Sequence, residues 1–309
     1  MERFDPHRVR TLLSERFGAE PDLVTPLEVG AWSTPYAFRL AGRDLVIRFS
    51  PLEEDFRKDE RIARLRSTAL PTPEMVEVGQ AFDGFFAITV RKHGVCLERL
   101  PGPHLRALLP ELFRMLDAIR DVDISGTFGF GLWGADGDAP YGTWEEALVA
   151  VGIDRPTQRI HGWSDAIKLS PAASAAFTTG YRALKDLASR QPRVRHLVHA
   201  DLMNRNVLVD GHDIAAVLDW GSAIYGDFLF DVAWLWFWAP WSPGWDAVDF
   251  RGEAIRHYEG TAVDVRGFEE RMRACAVYIG LDGMAYQAWK GDWREIEATA
   301  ERTVEIMTA

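Results

Sequence analysis

The chain has 309 residues, of which 47% are hydrophobic and 26% charged, and its formal net charge is −11. This length exceeds a typical single domain and predicts two lobes with enough apolar residues for a core. Nucleic-acid binders usually present a basic face, and no basic cluster is visible here, so nucleic acid is excluded as a partner. An acidic chain favours a cationic ligand, although a solvated acidic surface explains the same balance.

The N-terminal segment MERFDPHRVRTLLSERFG lacks the uninterrupted apolar stretch of a signal peptide. The most apolar run, residues 228–241, contains Asp231 and is shorter than the ~20 residues that cross a bilayer. Cys96 and Cys275 are too few for a disulfide framework or a zinc cluster. We therefore expect a cytoplasmic protein with no membrane partner. Its oligomeric state stays open, with a monomer as the default.

The first part of the chain predicts a β-rich lobe. Apolar residues at helical spacing predict an amphipathic helix that ends near Phe17, and a second helix is expected over residues 56–65. Alternating and β-branched residues, with turns at Ala41–Asp44 and Asp83–Gly84, predict the strands. The predicted strands are residues 27–30, 36–40, 45–49, 75–78 and 85–90.

After Gly94 the pattern becomes helical, with long helices predicted over residues 105–122 and 172–191. Short strands then return in HLVHAD, NVLVD and IAAVLDW, and a helical, tryptophan-rich region follows from Phe228. The predicted fold class is α+β: a β-rich N-lobe of residues 1–93, a hinge near Val90–Gly94, and a mostly helical C-lobe of residues 94–309.

The segment HADLMNRN, from His199 to Asn206, carries the chemistry. Phosphoryl transfer needs a carboxylate that orients the attacking hydroxyl and oxygen ligands that hold Mg²⁺ against the phosphates. In the kinase pattern H-x-D-x-x-x-x-N, the Asp is the carboxylate that orients the hydroxyl, and the Asn is one of the metal ligands. An Asp later in the chain is the second metal ligand. Asp201 and Asn206 keep that spacing, and Asp219 follows a hairpin turned at Gly211. Single Asp and Asn residues usually only shape loops, but the complete set favours catalysis by Asp201 with metal binding by Asn206 and Asp219.

Several neighbouring residues are predicted to play supporting roles. His199 is expected to brace the catalytic loop rather than transfer protons. Asp231 begins a predicted helix, where a carboxylate can cap free N–H groups or brace the loop, and this support role is favoured over substrate contact. Asp227 suits either role.

In the N-lobe, the loop GAWST lies between two predicted strands, where the backbone of Gly30 and the hydroxyl of Ser33 could cradle a phosphate. Alone it reads only as a turn, because the Rossmann and Walker glycine patterns are absent. Arg48 lies on the third strand, where kinases place a lysine that contacts the α- and β-phosphates.

With these residues in hand, the sequence resembles the aminoglycoside phosphotransferase family, and within it the branch that acts on hygromycin B. The resemblance is strongest in VRHLVHADLMNRNVLVD, IAAVLDWGSAIYGD and FWAPW, and extends from about Leu27 to Trp293. It implies a protein-kinase-like fold with ATP between the lobes, adenine paired to the hinge backbone at Val90 and Lys92, and Mg²⁺ as cofactor. The implied product is an O-phosphorylated antibiotic.

Two departures from the usual pattern concern the phosphate-contacting residues. Arg48 replaces the strand lysine, and a guanidinium fork is not equivalent to an ammonium. The helical glutamate that pairs with that lysine falls at or beside Lys58. Either Asp59 or Glu60 could pair with Arg48, or Lys58 could itself face the phosphates.

Aminoglycosides carry several ammonium groups, so a kinase that acts on them needs carboxylates around the acceptor pocket. Aromatic side chains in the walls of that pocket would pack against the sugar faces. The C-lobe offers candidates for both, of which four are predicted to bind substrate: Asp227, Asp231, Trp238 and Asp282. The other candidates are Asp246, Asp249, Trp234, Trp236 and Trp241, and tryptophans at this spacing more often pack a helical core. Kinases for choline, homoserine, methylthioribose or macrolides share the motif, and an aromatic cage would suit choline. A nucleotide-binding pseudokinase is the alternative from another class, but it would lack one of the three motif residues.

Overall fold

The computed structural model describes residues 4–308; residues 1–3 and 309, which the sequence analysis assigns to the two lobes, lie outside the described residues. The chain forms two compact units. The first comprises the described residues up to Leu97 together with Gly134–Gly137 and Asn204–Ser222, and the second comprises Glu98–Trp133, Asp138–Met203 and the described residues from Ala223. Each unit therefore draws on separate stretches of chain, whereas the predicted lobe boundary is a single division after residue 93.

The described residues form eleven strands and ten α-helices, numbered here in chain order. The strands are β1 (Asp22–Pro26), β2 (Thr34–Leu40), β3 (Arg43–Ser50), β4 (Met75–Ala81), β5 (Gly84–Val90), β6 (Val95–Cys96), β7 (Gly131–Leu132), β8 (His196–Val198), β9 (Val207–Asp210), β10 (Asp213–Val217) and β11 (Ile224–Gly226). The helices are α1 (Pro6–Phe17), α2 (Glu53–Ala63), α3 (Gly102–Arg120), α4 (Trp144–Val149), α5 (Trp163–Ala166), α6 (Pro171–Ala188), α7 (Leu229–Trp238), α8 (Phe250–Tyr258), α9 (Phe268–Lys290) and α10 (Trp293–Thr308).

The first unit is built on an antiparallel sheet of order β1-β2-β3-β5-β4. Alternate residues of β3 are buried, as expected for a strand whose one face packs on a core. Helix α1 covers this face and contributes Val9 and Leu13 to a core with the sheet. The sheet residues of this core are Tyr36, Phe38, Leu45, Ile47, Phe49, Phe86 and Ile88.

A second, three-stranded sheet of order β10-β9-β6 completes the first unit. Its β9–β10 hairpin turns at Gly211, whose φ of 60° is the left-handed conformation that glycine adopts without strain. The hairpin is tied to the segment before β4, because Val217 donates its backbone N–H to the carbonyl of Pro71 at 3.0 Å. The segment Asn204–Ser222, which contains Asn206 and Asp219, therefore belongs to the first unit.

The second unit is mainly helical, and α9 is its central helix. Most residues of this 23-residue helix that face α6, α7 and α10 are buried. A small sheet of order β7-β11-β8 lies in the same unit. No helix in residues 4–308 combines the length and the apolar character needed to cross a membrane.

The structure confirms most predicted elements and corrects two. Residues 27–30 are a loop rather than a strand, and the missing partner of β2 is β1, whose largely exposed residues hid it from a hydrophobicity pattern. Short helices α4 and α5 occupy a region for which no helix was predicted. The strand β8 pairs with β11 and not with the neighbouring hairpin, because β9 is paired on its two sides with β10 and β6.

Candidate active site

The mouth of the β9–β10 hairpin brings Asn206 and Asp219 together in the first unit. Leu218 donates its backbone N–H to the carbonyl of Asn206 at 2.7 Å, which continues the ladder by one step beyond the strands. An amide oxygen and a carboxylate are hard oxygen ligands of the kind that Mg²⁺ takes from a protein when water and phosphate complete its shell. Among residues 4–308 there is no cluster of three or more His, Cys, Asp or Glu side chains that could hold a metal by itself.

Three non-glycine residues around this motif have backbones in the left-handed region. The φ angles are 62° at Ala200, 66° at Arg205 and 58° at Asp219. Such conformations cost roughly 1–3 kcal/mol each and persist only where the surrounding structure enforces them. All three lie within or beside the predicted catalytic and metal-binding residues, which is where strained backbone concentrates in enzymes.

The acidic partner of Arg48 is Asp59 of α2. The guanidinium of Arg48 forms an ion pair with one carboxylate oxygen of Asp59. The other oxygen accepts the backbone N–H of Trp220 at 2.8 Å. Asp59 therefore joins the strand arginine to the Asp-Trp-Gly turn, and of the two partners considered from sequence, Asp59 and Glu60, the structure selects Asp59. Glu60 instead pairs with Arg57 on the helix surface.

Lys58 points into the first unit and contacts the same turn. Its side chain is completely buried, and its Nζ donates a hydrogen bond to the carbonyl of Gly221 at 2.7 Å. The turn is tight here: a Cβ added to Gly221 would lie 2.9 Å from the Cγ of Asp55, so only glycine fits. The third possibility considered from sequence, that Lys58 faces the phosphates, is replaced by this contact with the turn.

Charge around Asp219 is concentrated and mostly negative. Burial and the neighbouring Asp59 and Asp55 raise the pKa of Asp219, while Arg48 opposes the rise. A divalent cation at this carboxylate would favour its ionised form, in the way that any adjacent positive charge does. The electrostatic environment therefore fits a cation ligand.

The loop between β1 and β2 contains Gly30 and Ser33. Gly30 donates its backbone N–H to the carbonyl of Ser33 at 3.1 Å, which closes a tight turn. A Cβ at Gly30 would meet nothing nearer than 3.7 Å, so this turn does not require glycine. The loop also approaches the catalytic segment, because Glu28 forms an ion pair with Arg205 at 2.5 Å.

At the end of β5, the backbone N–H of Val90 is donated to Glu74 and that of Arg91 to Asp44. Both donors of this segment are therefore engaged within the sheet. Lys92 is exposed in the following loop. Of the two residues predicted to contact adenine, Val90 thus has its backbone N–H engaged within the sheet, and Lys92 lies in the loop after the strand.

Asp201 and His199 lie in the second unit, on the segment that follows β8. His199 is buried, and its Nδ1 accepts the backbone N–H of Asp201 at 3.2 Å. Asp231 of α7 accepts the backbone N–H groups of His199 and Ala200 at 2.9 and 2.8 Å. Burial raises the pKa of Asp231 to about 7, and the two hydrogen bonds oppose that rise. Asp231 thus braces the strained backbone at Ala200, in the support role favoured from sequence.

Asp227 is wholly buried and forms an ion pair with Arg271 of α9. The Nε and Nη2 of Arg271 contact the two carboxylate oxygens of Asp227 at 2.6 and 2.8 Å. One of these oxygens also accepts the backbone N–H of Leu229, at the start of α7. Both carboxylate oxygens of the buried Asp227 are therefore occupied, and the ion pair joins the segment just before α7 to α9.

One face of α9 carries Tyr278, Asp282 and Tyr286, spaced four residues apart. Burial raises the pKa of Asp282 to about 6. Burial and nearby Asp282 raise the pKa of Tyr278, and burial and nearby Asp201 raise that of Tyr286. Tyr286 of this stripe therefore lies near Asp201, the predicted catalytic carboxylate, within the second unit.

Tryptophans of α7 adjoin the stripe. A Cβ at Gly283, next to Asp282, would lie 3.2 Å from the ring of Trp238, and Trp238 packs against Trp234 with ring centroids 6.0 Å apart. Within residues 4–308, the indole N–H groups of both tryptophans are buried and have no hydrogen-bond partner. Trp234, Trp238 and Asp282 are candidates from the sequence, whereas Tyr278 and Tyr286 are not. The four-residue spacing of the tyrosines along a mostly apolar helix was the signal that could have found them.

Comparison with known proteins gives this site its context. Residues 24–265 match the model of the phosphotransferase enzyme family. The chain belongs to this family. It is a phosphotransferase, as the motif predicted, and it is 34% identical over 285 residues to hygromycin-B 4-O-kinase from Escherichia coli, covering 91% of this chain and 78% of that protein.

Solved structures of the family share the fold. The crystal structure of aminoglycoside phosphotransferase APH(4)-Ia has a TM-score of 0.85 and 31% identity, covering 98% of this chain and 99% of that one. A thermostable mutant of APH(4)-Ia in ternary complex with AMP-PNP and hygromycin B has a TM-score of 0.84 and 31% identity, covering 97% of this chain and 98% of that one. These matches confirm the kinase-like α+β fold class predicted from the sequence.

Proposed function

We propose that this phosphotransferase transfers the γ-phosphoryl group of ATP to a hydroxyl group of an aminoglycoside antibiotic, with hygromycin B as the preferred acceptor and Mg²⁺ as the metal. The observation that supports the nucleotide half of the proposal is the position of Asn206 and Asp219 at the mouth of one hairpin, where Asp59 joins Arg48 to the turn that follows Asp219. The relatives named above, a hygromycin-B kinase and a structure holding AMP-PNP with hygromycin B, support both halves.

Each motif residue has a defined task in this reaction. Asp201 orients the acceptor hydroxyl and accepts its proton as the oxygen attacks phosphorus. Asn206 and Asp219 hold the metal, which supplies charge neutralisation to the phosphates when bound. Arg48 contacts the α- and β-phosphates with its guanidinium, kept in place by Asp59. Gly30, Ser33 and the backbone at Val90 and Lys92 complete the nucleotide contacts.

The acceptor contacts come from the second unit. Asp282 supplies a carboxylate for an ammonium group, and Trp238 and Trp234 supply aromatic surface. An ionised Asp282, half-buried on α9, attracts a cation more strongly than an exposed carboxylate does, because water screens it less. Asp227 and Asp231 are left out of this set, since backbone and arginine groups already occupy their oxygens.

The biological setting is also part of the proposal. ATP and Mg²⁺ are cytoplasmic, so we place the enzyme there, acting as a monomer that confers resistance by modifying the antibiotic. The added phosphate introduces negative charge into a cationic drug and thereby weakens its electrostatic attraction to RNA.

The test is a coupled assay of ADP release with ATP and Mg²⁺, run across hygromycin B, other aminoglycosides, choline and a macrolide. We expect turnover with hygromycin B above all other acceptors. In Asp201→Ala, kcat should fall by roughly 10²–10⁴ while the Kd for ATP, measured by calorimetry, stays within about twofold. Wild-type turnover in that variant would overturn the assignment of Asp201. Turnover with choline and none with aminoglycosides would replace the acceptor but keep the mechanism.

A further inference from the structure

Helix α2 has an unusual buried face made of charged residues. Asp55, Lys58 and Asp59 are spaced three and four residues apart, so they share one side of the helix, and all three are buried. The helix also buries the apolar residues Phe56, Ile62 and Ala63, as amphipathic helices normally do. Here the charged stripe is directed at one short turn, Trp220–Ser222, immediately after Asp219.

The three side chains of this stripe hold the turn by complementary contacts. Asp59 accepts the N–H of Trp220, and Lys58 donates to the carbonyl of Gly221. The carboxylate of Asp55 fills the space that a side chain at residue 221 would need. The first and third peptide units after Asp219, 219–220 and 221–222, are therefore fixed through the N–H of Trp220 and the carbonyl of Gly221.

This arrangement bears directly on Asp219, whose φ of 58° is strained for a residue with a side chain. Strain of this kind is maintained only when neighbouring contacts leave the backbone no relaxed alternative. A methionine or leucine could fill the space of Lys58 at similar or lower cost to stability, since a buried charge carries a large desolvation penalty. A lysine at this position is therefore better explained by what its Nζ holds than by packing.

We propose that Lys58 is a positioning residue for the metal ligand Asp219: its ammonium fixes the Gly221 carbonyl and so keeps the Asp219 carboxylate directed for Mg²⁺-nucleotide binding. The inference rests on the proposed function, because it assigns Asp219 to the metal. Lys58 contacts neither nucleotide nor metal; it acts through the backbone of the turn.

The test compares Lys58→Met with wild type by titration calorimetry of ADP, once with excess Mg²⁺ and once with EDTA. We expect the Kd with Mg²⁺ to rise about tenfold or more in the variant, because a hydrogen bond to a charged donor is lost. The Kd in EDTA should change by less than about twofold. The ratio of the two Kd values isolates the metal-dependent part of binding, which a general loss of stability would not alter.

Two further variants sharpen the comparison. Arg57→Met removes a cation from the neighbouring, half-exposed position of α2, where it pairs with Glu53 and Glu60, and should leave the ratio unchanged. Lys58→Arg retains a cationic donor and should recover at least half of the metal effect. If Lys58→Met does not fold, Lys58→Gln replaces it, because glutamine is a neutral donor too short to reach the Gly221 carbonyl. The same ratio of Kd values is then measured for Lys58→Gln.

The outcomes separate this inference from the proposed function. If wild type binds ADP equally with and without Mg²⁺, the proposed metal role of Asp219 fails, and the inference with it. If wild type shows the Mg²⁺ effect and the Lys58 variants keep it in full while their thermal stability drops, the proposed function stands and Lys58 is only a structural residue.

Discussion

The buried pair of Asp227 and Arg271 allows the clearest quantitative prediction. In Asp227→Asn, the side chain keeps its size and an oxygen for the N–H of Leu229, but the Arg271 guanidinium, with 2% of its surface exposed, loses its counter-charge. Removing one partner of a buried ion pair costs about 3–5 kcal/mol of unfolding free energy. With a shift of about 2–4 °C per kcal/mol in proteins of some 150–250 residues, the melting temperature should fall by roughly 6–20 °C.

The assay is urea and thermal unfolding followed by circular dichroism, combined with acceptor kinetics at a temperature where the variant is folded. The matched control is Asp264→Asn, which removes a carboxylate from the exposed pair with Arg266 near the same arginine. Arg271 contacts only the backbone carbonyl of Asp264, so the control should have a far smaller effect. A loss below about 1 kcal/mol for Asp227→Asn, with an acceptor KM raised tenfold, would refute the structural role and return Asp227 to the acceptor site.

Three other predictions concern the site itself. Arg48→Lys keeps the charge beside Asp59 but loses the planar fork, so the Kd for ATP measured by calorimetry should rise roughly tenfold; an unchanged Kd would contradict a phosphate contact. The pKa of Asp282 is about 6, so it is largely neutral at pH 5 and charged at pH 7. The KM for a cationic acceptor should therefore fall between pH 5 and 7 in wild type and be flat in Asp282→Asn; equal profiles would exclude Asp282 as a contact. Glu28→Arg and Arg205→Glu should each raise the KM for ATP by about 1.5- to 5-fold, as expected for a partly exposed ion pair of about 0.2–1 kcal/mol, and the double exchange should restore it. Failure of the exchange to restore the KM would show that the pair does not order the loop.

Local sequence patterns were sufficient for most of the fold because they reflect local physics. The β-branched and aromatic alternation of β3 and the Gly211 turn specify a strand and a hairpin wherever they occur. The exposed edge strand β1 and the short helices α4 and α5 escaped, because a strand with no buried face and a helix of one or two turns leave little periodicity to read.

The sequence by itself determined the chemistry: the spacing of Asp201, Asn206 and Asp219 is a local property of one segment and its following hairpin, and it predicted the phosphotransferase family. Only the tertiary structure decided which charged residues pair. The choice of Asp59 over Glu60 for Arg48, the contact of Lys58 with Gly221, and the withdrawal of Asp227 into a buried pair all join positions distant along the chain. A carboxylate has the same local pattern whether it faces a ligand, an arginine or a backbone amide, and long-range packing alone sets which of these it meets.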